Sequence, residues 1–97
     1  MLHLLAQTQL TDAIVQRISA GDAVLLQHGS IWAALSGHAD NAKLAALQAL
    51  PCQIYVMQDM LQASGITVEQ LFSAVNVIDY PGLVELTVSQ PQIVTWC

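Results

Sequence analysis

The chain has 97 residues, the length of one domain, and only 9% of them are charged, where an average domain carries about 25%. Two cations, Arg17 and Lys43, stand against seven acids for a net charge of −5, which excludes binding to a nucleic-acid backbone through neutralised phosphates. Apolar residues make up 55% of the chain, but runs such as Ile31 to Leu35 fall far short of the roughly 20 residues that a membrane span needs.

In chain order, the apolar run Met1 to Ala6, containing His3, reads as a first strand. Thr11 or Asp12 caps a helix through Ala13, Ile14, Val15 and Ile18 that ends at Ala20-Gly21, with Gly21 as its left-handed terminator. Ala23 to Leu26 is a continuous buried-strand pattern, closed by Gln27-His28-Gly29. Ser30 caps a short helix over Ile31 to Leu35, and Asp40 opens another from Ala42 to Leu50, stopped by Pro51. Gln53 to Met57 is β-branched and aromatic and reads as a strand. Asp59 begins a helix ending at Ser64-Gly65, Thr67 to Leu71 is a helical turn, and Val75 to Ile78 is a strand. Tyr80-Pro81 starts a helix to Ser89, where proline's missing N–H is harmless in the first turn. Ile93 to Trp96 is the last strand. Short apolar strands alternating with helices predict an α/β sandwich of about five mostly parallel strands, with helices on both faces of a single domain spanning 1–97.

The surface arithmetic points to assembly. A folded chain of this mass exposes roughly 5,400 Å², so nine charges leave about 600 Å² for each. Eleven glutamines solvate that area less strongly than ions would. The expectation is a subunit whose surplus apolar surface is covered by partners. The start of the chain lacks the basic stretch and long apolar core of a secretory leader. Cys52 and Cys97 are too few for a disulfide framework. Both features point to a cytoplasmic setting.

Chemistry-bearing patterns are sparse. The five glycines lie too far apart for a phosphate-cradling loop, and His3, His28, His38 and the cysteines have no metal-ligand spacing. No cofactor is expected. His3 reads as a hydrogen-bonded core or interface histidine, and His28 and His38, near loops, as surface polar groups, with titration near neutral pH as the alternative. Cys52 follows Pro51 at the entrance of a strand, away from the carboxyl ends where ligands gather in open α/β sheets, and reads as structural. Cys97 carries its own carboxylate beside the sulfur. Asp12, Asp40 and Asp59 read as helix-start charges. Asp79-Tyr80 sits at a strand's carboxyl end, as a functional pair or a helix cap. Ile31, Trp32 and Trp96 complete the candidate interface residues, aromatics being favoured anchors.

Several segments, taken in order, resemble one family. They are Met1-Leu2-His3-Leu4-Leu5, Gly21-Asp22-Ala23-Val24-Leu25-Leu26-Gln27, Ala33-Ala34-Leu35 after Gly29, Ile54-Tyr55-Val56 and Ser64-Gly65-Ile66. The run Val77-Ile78-Asp79-Tyr80 follows, then Leu83-Val84, Leu86-Thr87-Val88 and Trp96. Together they are similar to the TusB/DsrH family over essentially the whole chain. The resemblance implies a DsrE/F/H-like fold and a non-catalytic subunit of a sulfur-relay complex. Its partners would be TusC-like and TusD-like chains in a dimer of heterotrimers. That complex takes persulfide sulfur from a TusA-like carrier and passes it to a TusE-like carrier, for 2-thiolation of tRNA wobble uridine. In the related DsrEFH branch the complex serves sulfur oxidation.

This sequence departs from the family pattern at three places. The first helix, around Ile14, lacks the cysteine of DsrH-type members, which favours a non-catalytic role. His28 stands where members often have an acid, and Cys97 extends past the tryptophan at which members commonly end. Alternatives are a DsrH-like subunit in sulfur oxidation, a persulfide carrier using Cys97 or Cys52, and a stand-alone homo-oligomeric module.

Overall fold

The computed structural model of the chain describes residues 1–6, 12–27, 31–32, 34–37, 41–50, 52–73, 75–90 and 92–96. Five strands, β1 (Leu2–Leu5), β2 (Ala23–Leu26), β3 (Gln53–Met57), β4 (Val75–Ile78) and β5 (Ile93–Trp96), form one sheet in the order β4-β3-β2-β1-β5. Every neighbouring pair is parallel. Position in the sheet explains strand composition. Central β2 is buried at all four positions and is wholly apolar, whereas edge strand β5 alternates exposed and half-buried residues.

Four helices cross between the strands: α1 (Asp12–Arg17), α2 (Asn41–Ala49), α3 (Gln58–Ser64) and α4 (Tyr80–Ser89). The steps from β1 to β4 all move in one direction across the sheet, and the step from β4 to β5 returns the other way. Right-handed crossovers therefore put α1, α2 and α3 on one face and, among the described residues, leave α4 alone on the other. The core divides accordingly. Leu5, Val24, Leu26, Ile54 and Val56 pack against Ile14, Ile18, Leu44, Leu47 and Leu61 in the larger layer. Leu2, Ala23, Leu25 and Met57 meet Leu83 and Leu86 of α4 in the smaller one.

Local signals set most boundaries. Gly65 ends α3 with φ 72°, a left-handed conformation that a side chain would strain, and its neighbour Ile66 donates its N–H to Leu61 O at 3.0 Å. Asp79 is the N-cap of α4 and accepts the Gly82 N–H at 3.0 Å, with Pro81 in the first turn. A 3-10 turn at Val68–Gln70 carries a capping box between Thr67 and Gln70.

Three sequence expectations are revised. The first helix stops at Arg17 instead of Ala20, because Asp22 captures the next turn: its Oδ2 accepts the Ser19 N–H at 3.0 Å and its N–H donates to Ser19 O at 3.1 Å. The helix expected over Ile31 to Leu35 is only a 3-10 turn at residues 31–32 and 34. There the Ser36 N–H donates to Gln70 O at 2.8 Å and the Phe72 N–H to Ala34 O at 2.7 Å, so Leu35 bridges antiparallel to Leu71 and the backbone leaves helical pairing. Asp59 lies within the first turn of α3, whose N-cap is Met57 with no side-chain cap, so it acts through the helix dipole. The capping expected of Asp40, like His28, Ser30 and Cys97, lies outside the described residues.

Candidate functional site

Asp22, at the turn before β2, organises the amino-terminal edge of the sheet. Besides Ser19, its carboxylate receives His3 Nε2 at 2.9 Å and the amino group of Met1 at 3.1 Å. His3 is 1% exposed, and its Nδ1 accepts the Trp96 Nε1–H at 3.1 Å. A ring nitrogen that accepts cannot carry the proton, so the proton sits on Nε2 and is donated to Asp22. The indole and imidazole stack with centroids 6.3 Å apart and planes 19° off parallel. Burial pushes the Asp22 carboxyl up, but the Ser19 N–H, the His3 donor and the Met1 ammonium outweigh it and hold the group below its ordinary range.

Cys52 opens onto the same edge. Its thiol is buried and donates to Ser19 O at 3.1 Å. Burial first, and then the Asp22 negative charge, push its pKa up. A nucleophilic cysteine needs a stabilised thiolate, and these surroundings oppose one. In a Cys97→Ser background, alkylation of native Cys52 is therefore expected to run slower than in urea, since burial and the raised pKa both withhold the reactive thiolate. Equal rates, read by a thiol-specific chromophore, would refute the assignment.

The other candidate residues do not converge. Ile31 is 1% exposed and belongs to the larger core layer, while Trp32 beside it is 46% exposed. Asp79 and Tyr80 open α4 on the opposite layer, Asp79 as cap and Tyr80 as an exposed ring. Trp96 is half-buried, tied to His3 and packed on the larger core layer. Among the described residues no group of three or more His, Cys, Asp or Glu side chains gathers as a metal site.

The outer side of α4 is apolar. Tyr80, Val84 and Val88, spaced four apart, form one exposed row, with Val88 78% accessible. Between α4 and strands β3 and β4 runs a groove of about 380 Å³, floored by Tyr55 and Ile78 and walled by Gly82, Glu85, Leu86 and Ser89. The Tyr55 hydroxyl donates to the Gln53 side-chain oxygen, and burial raises the phenol's pKa. Sequence reading missed the convergence on Asp22, for which no local signal exists. It also passed over the α4 face, although apolar residues on every side of that helix were a usable sign.

Residues 6–93 match the model of the family described as DsrH like protein. Protein TusB of Erwinia tasmaniensis is 34% identical, over 99% of this chain and all of that protein. Protein TusB of Escherichia coli K12 is 35% identical over the same shares. Among solved structures, the ychN protein of Escherichia coli superposes with a TM-score of 0.76 at 15% identity, over 98% of this chain and 97% of that one. A protein of unknown function from Methanobacterium thermoautotrophicum gives 0.72 at 11% identity, over 98% and 96%. At such identities these two structures establish the parallel α/β fold alone.

Proposed function

Since this chain belongs to the DsrH-like protein family, we propose that it is a non-catalytic subunit of a sulfur-relay assembly, folded as one domain. In this reading it joins TusC-like and TusD-like chains in a heterohexamer. It supports transfer of persulfide sulfur from a TusA-like to a TusE-like carrier, for 2-thiolation of tRNA wobble uridine. The cytoplasm is where that relay operates. The observation that carries the reading is the state of Cys52, a buried thiol turned to a backbone carbonyl and faced by a carboxylate. Such a thiol packs well and attacks poorly. Sparse charge and the exposed Trp32, Tyr80, Val84 and Val88 fit a chain that finishes burying its apolar surface against partners. The interface role extends to His28, Asp79 and Trp96, with Ile31 as the packing support beneath Trp32.

Native mass spectrometry of the chain, alone and co-expressed with TusC-like and TusD-like chains, tests this. A complex containing all three chains is expected, with the persulfide formed from a cysteine desulfurase and a TusA-like donor appearing on another subunit. A stable homo-oligomer indifferent to those chains would overturn the assembly. A one-sulfur adduct on this chain, abolished by Cys97→Ser or Cys52→Ser, would overturn the non-catalytic role.

A further inference from the structure

We propose that the outer face of α4 and its adjoining groove form a docking surface for a different chain, one that lays an apolar strip along Tyr80, Val84 and Val88 and inserts a lysine or arginine side chain beside Glu85. The proposal rests on the subunit reading above and assigns the surface through which that subunit is held.

Three observations carry it. First, among the described residues α4 is the sole helix on its face of the sheet, and its inward residues Leu83 and Leu86 are already committed to the smaller core layer. Tyr80, Val84 and Val88 are therefore left uncovered by the described residues of this chain. Their row runs about 12 Å along the helix, at 1.5 Å of rise per residue. Ile93 continues the apolar surface onto edge strand β5. It pairs with Leu2, whose side chain faces the α4 layer, and it is exposed.

Second, Glu85 is the one charged residue of α4 and lines the groove. Among the described residues no cation reaches it. Arg17 lies on α1 and Lys43 on α2, both across the sheet, and Lys43 approaches Asp12 at 3.9 Å. Two hydroxyls of the groove are internally paired. Tyr55 donates to Gln53, and the Ser89 hydroxyl donates to Leu86 O at 3.2 Å. The carboxylate is what the groove leaves for a visitor. A space of about 380 Å³ admits a long basic side chain, with its methylenes along Leu86 and Ile78 and its charged head at Glu85.

Third, charge separates a foreign partner from a second copy. A twofold contact through α4 is isologous, so it would oppose two Glu85 carboxylates, while Arg17 and Lys43 lie across the sheet and the Met1 ammonium, at the carboxyl end of α4, is already held by Asp22 and Gln90. With two cations against seven acids, the complementary surface belongs to another protein.

The test measures the affinity of this chain for the other subunits of the proposed assembly, with circular dichroism confirming that each variant folds. Val84→Arg, Val88→Arg and Glu85→Lys are each expected to weaken the complex at least about tenfold, the scale of a central interface residue. Glu85→Gln is expected to weaken it less and to flatten its salt dependence. Val68→Arg, at a 64% exposed valine that opens the 3-10 turn Val68–Gln70, should leave affinity unchanged. Wild-type affinity in the α4 variants, with an intact complex, overturns the docking surface and spares the subunit reading. A wild-type chain that forms no complex overturns both. A homodimer abolished by Val84→Arg overturns the assignment to a foreign partner.

Discussion

Truncation of Leu26 to alanine is expected to lower the free energy of unfolding by about 3 to 5 kcal/mol, the upper range for a buried leucine whose cavity cannot collapse. Leu26 ends the central strand β2, is fully buried, and stands in register between Leu5 of β1 and Val56 of β3. All three face the layer held by α1, α2 and α3. Parallel strands on both sides fix the backbone there, so neighbours cannot move in to fill the void. A chain of this length has roughly 5 to 15 kcal/mol in total, so the variant loses a large fraction of its stability. Its melting temperature should fall by about 4–8 °C for each kcal/mol. Urea titration gives the number directly, and a loss below about 1 kcal/mol would mean that the layer is not close-packed around this side chain.

Asp22→Ala is the second large effect, of a different kind. The carboxylate accepts from Ser19 and His3, and removing it leaves the buried His3 Nε2–H without its acceptor. An orphaned buried donor together with lost charge-assisted bonds costs about 2 to 3 kcal/mol. Asp22→Asn preserves shape and one acceptor oxygen and should cost less. The two effects separate by pH. Asp22 titrates below its ordinary value in the folded state. Its contribution is therefore complete above the unfolded pKa of about 3.9 and is lost as pH falls through the lower folded value. The gap between wild type and Asp22→Ala should be widest near about pH 7 and shrink toward about pH 3. An equal gap at both pH values, measured by urea midpoints, would show that the charge is not its source.

Most elements were legible because their causes are local. Gln53–Met57, Val75–Ile78 and Ile93–Trp96 sit where β-branched runs follow turn residues. Helix α4 runs from Tyr80 to Ser89 as Asp79, Pro81 and the apolar run lead one to expect, and Gly65 ends α3 as a left-handed glycine should. The misread segment, 31–35, fails for a non-local reason. The Ala34 carbonyl and the Ser36 amide just beyond the segment find residues 70–72, which no window of sequence around Trp32 reveals. Strand order is illegible for the same reason, and with it the division of three helices from one. The candidate site divides likewise. His3 reads as a satisfied core histidine because it interrupts an apolar run, but its partners come from residues 22 and 96, and only the folded sheet joins them. Glu85 looked like one scattered acid until β3 and β4 supplied the floor of its groove.

Strand order also dictates the sequence of assembly. Pairing β1 with β2, β2 with β3 and β3 with β4 closes stretches of 21, 30 and 21 residues, counted from Leu2 to Ala23, Ala23 to Gln53 and Ile54 to Val75. Pairing β1 with β5 closes 91 residues, from Leu2 to Ile93. That costs roughly 1 kcal/mol more loop entropy than the longest of the others, and nothing rewards it until the intervening strands are in place. The sheet thus grows outward from β1 through β4, while β1 waits with one edge open. When β5 closes that edge it brings Trp96 to His3 and draws α4 across the bare face in the same event. The indole–imidazole hydrogen bond is then the clasp expected to form last in folding and, by microscopic reversibility, to part first when the molecule opens.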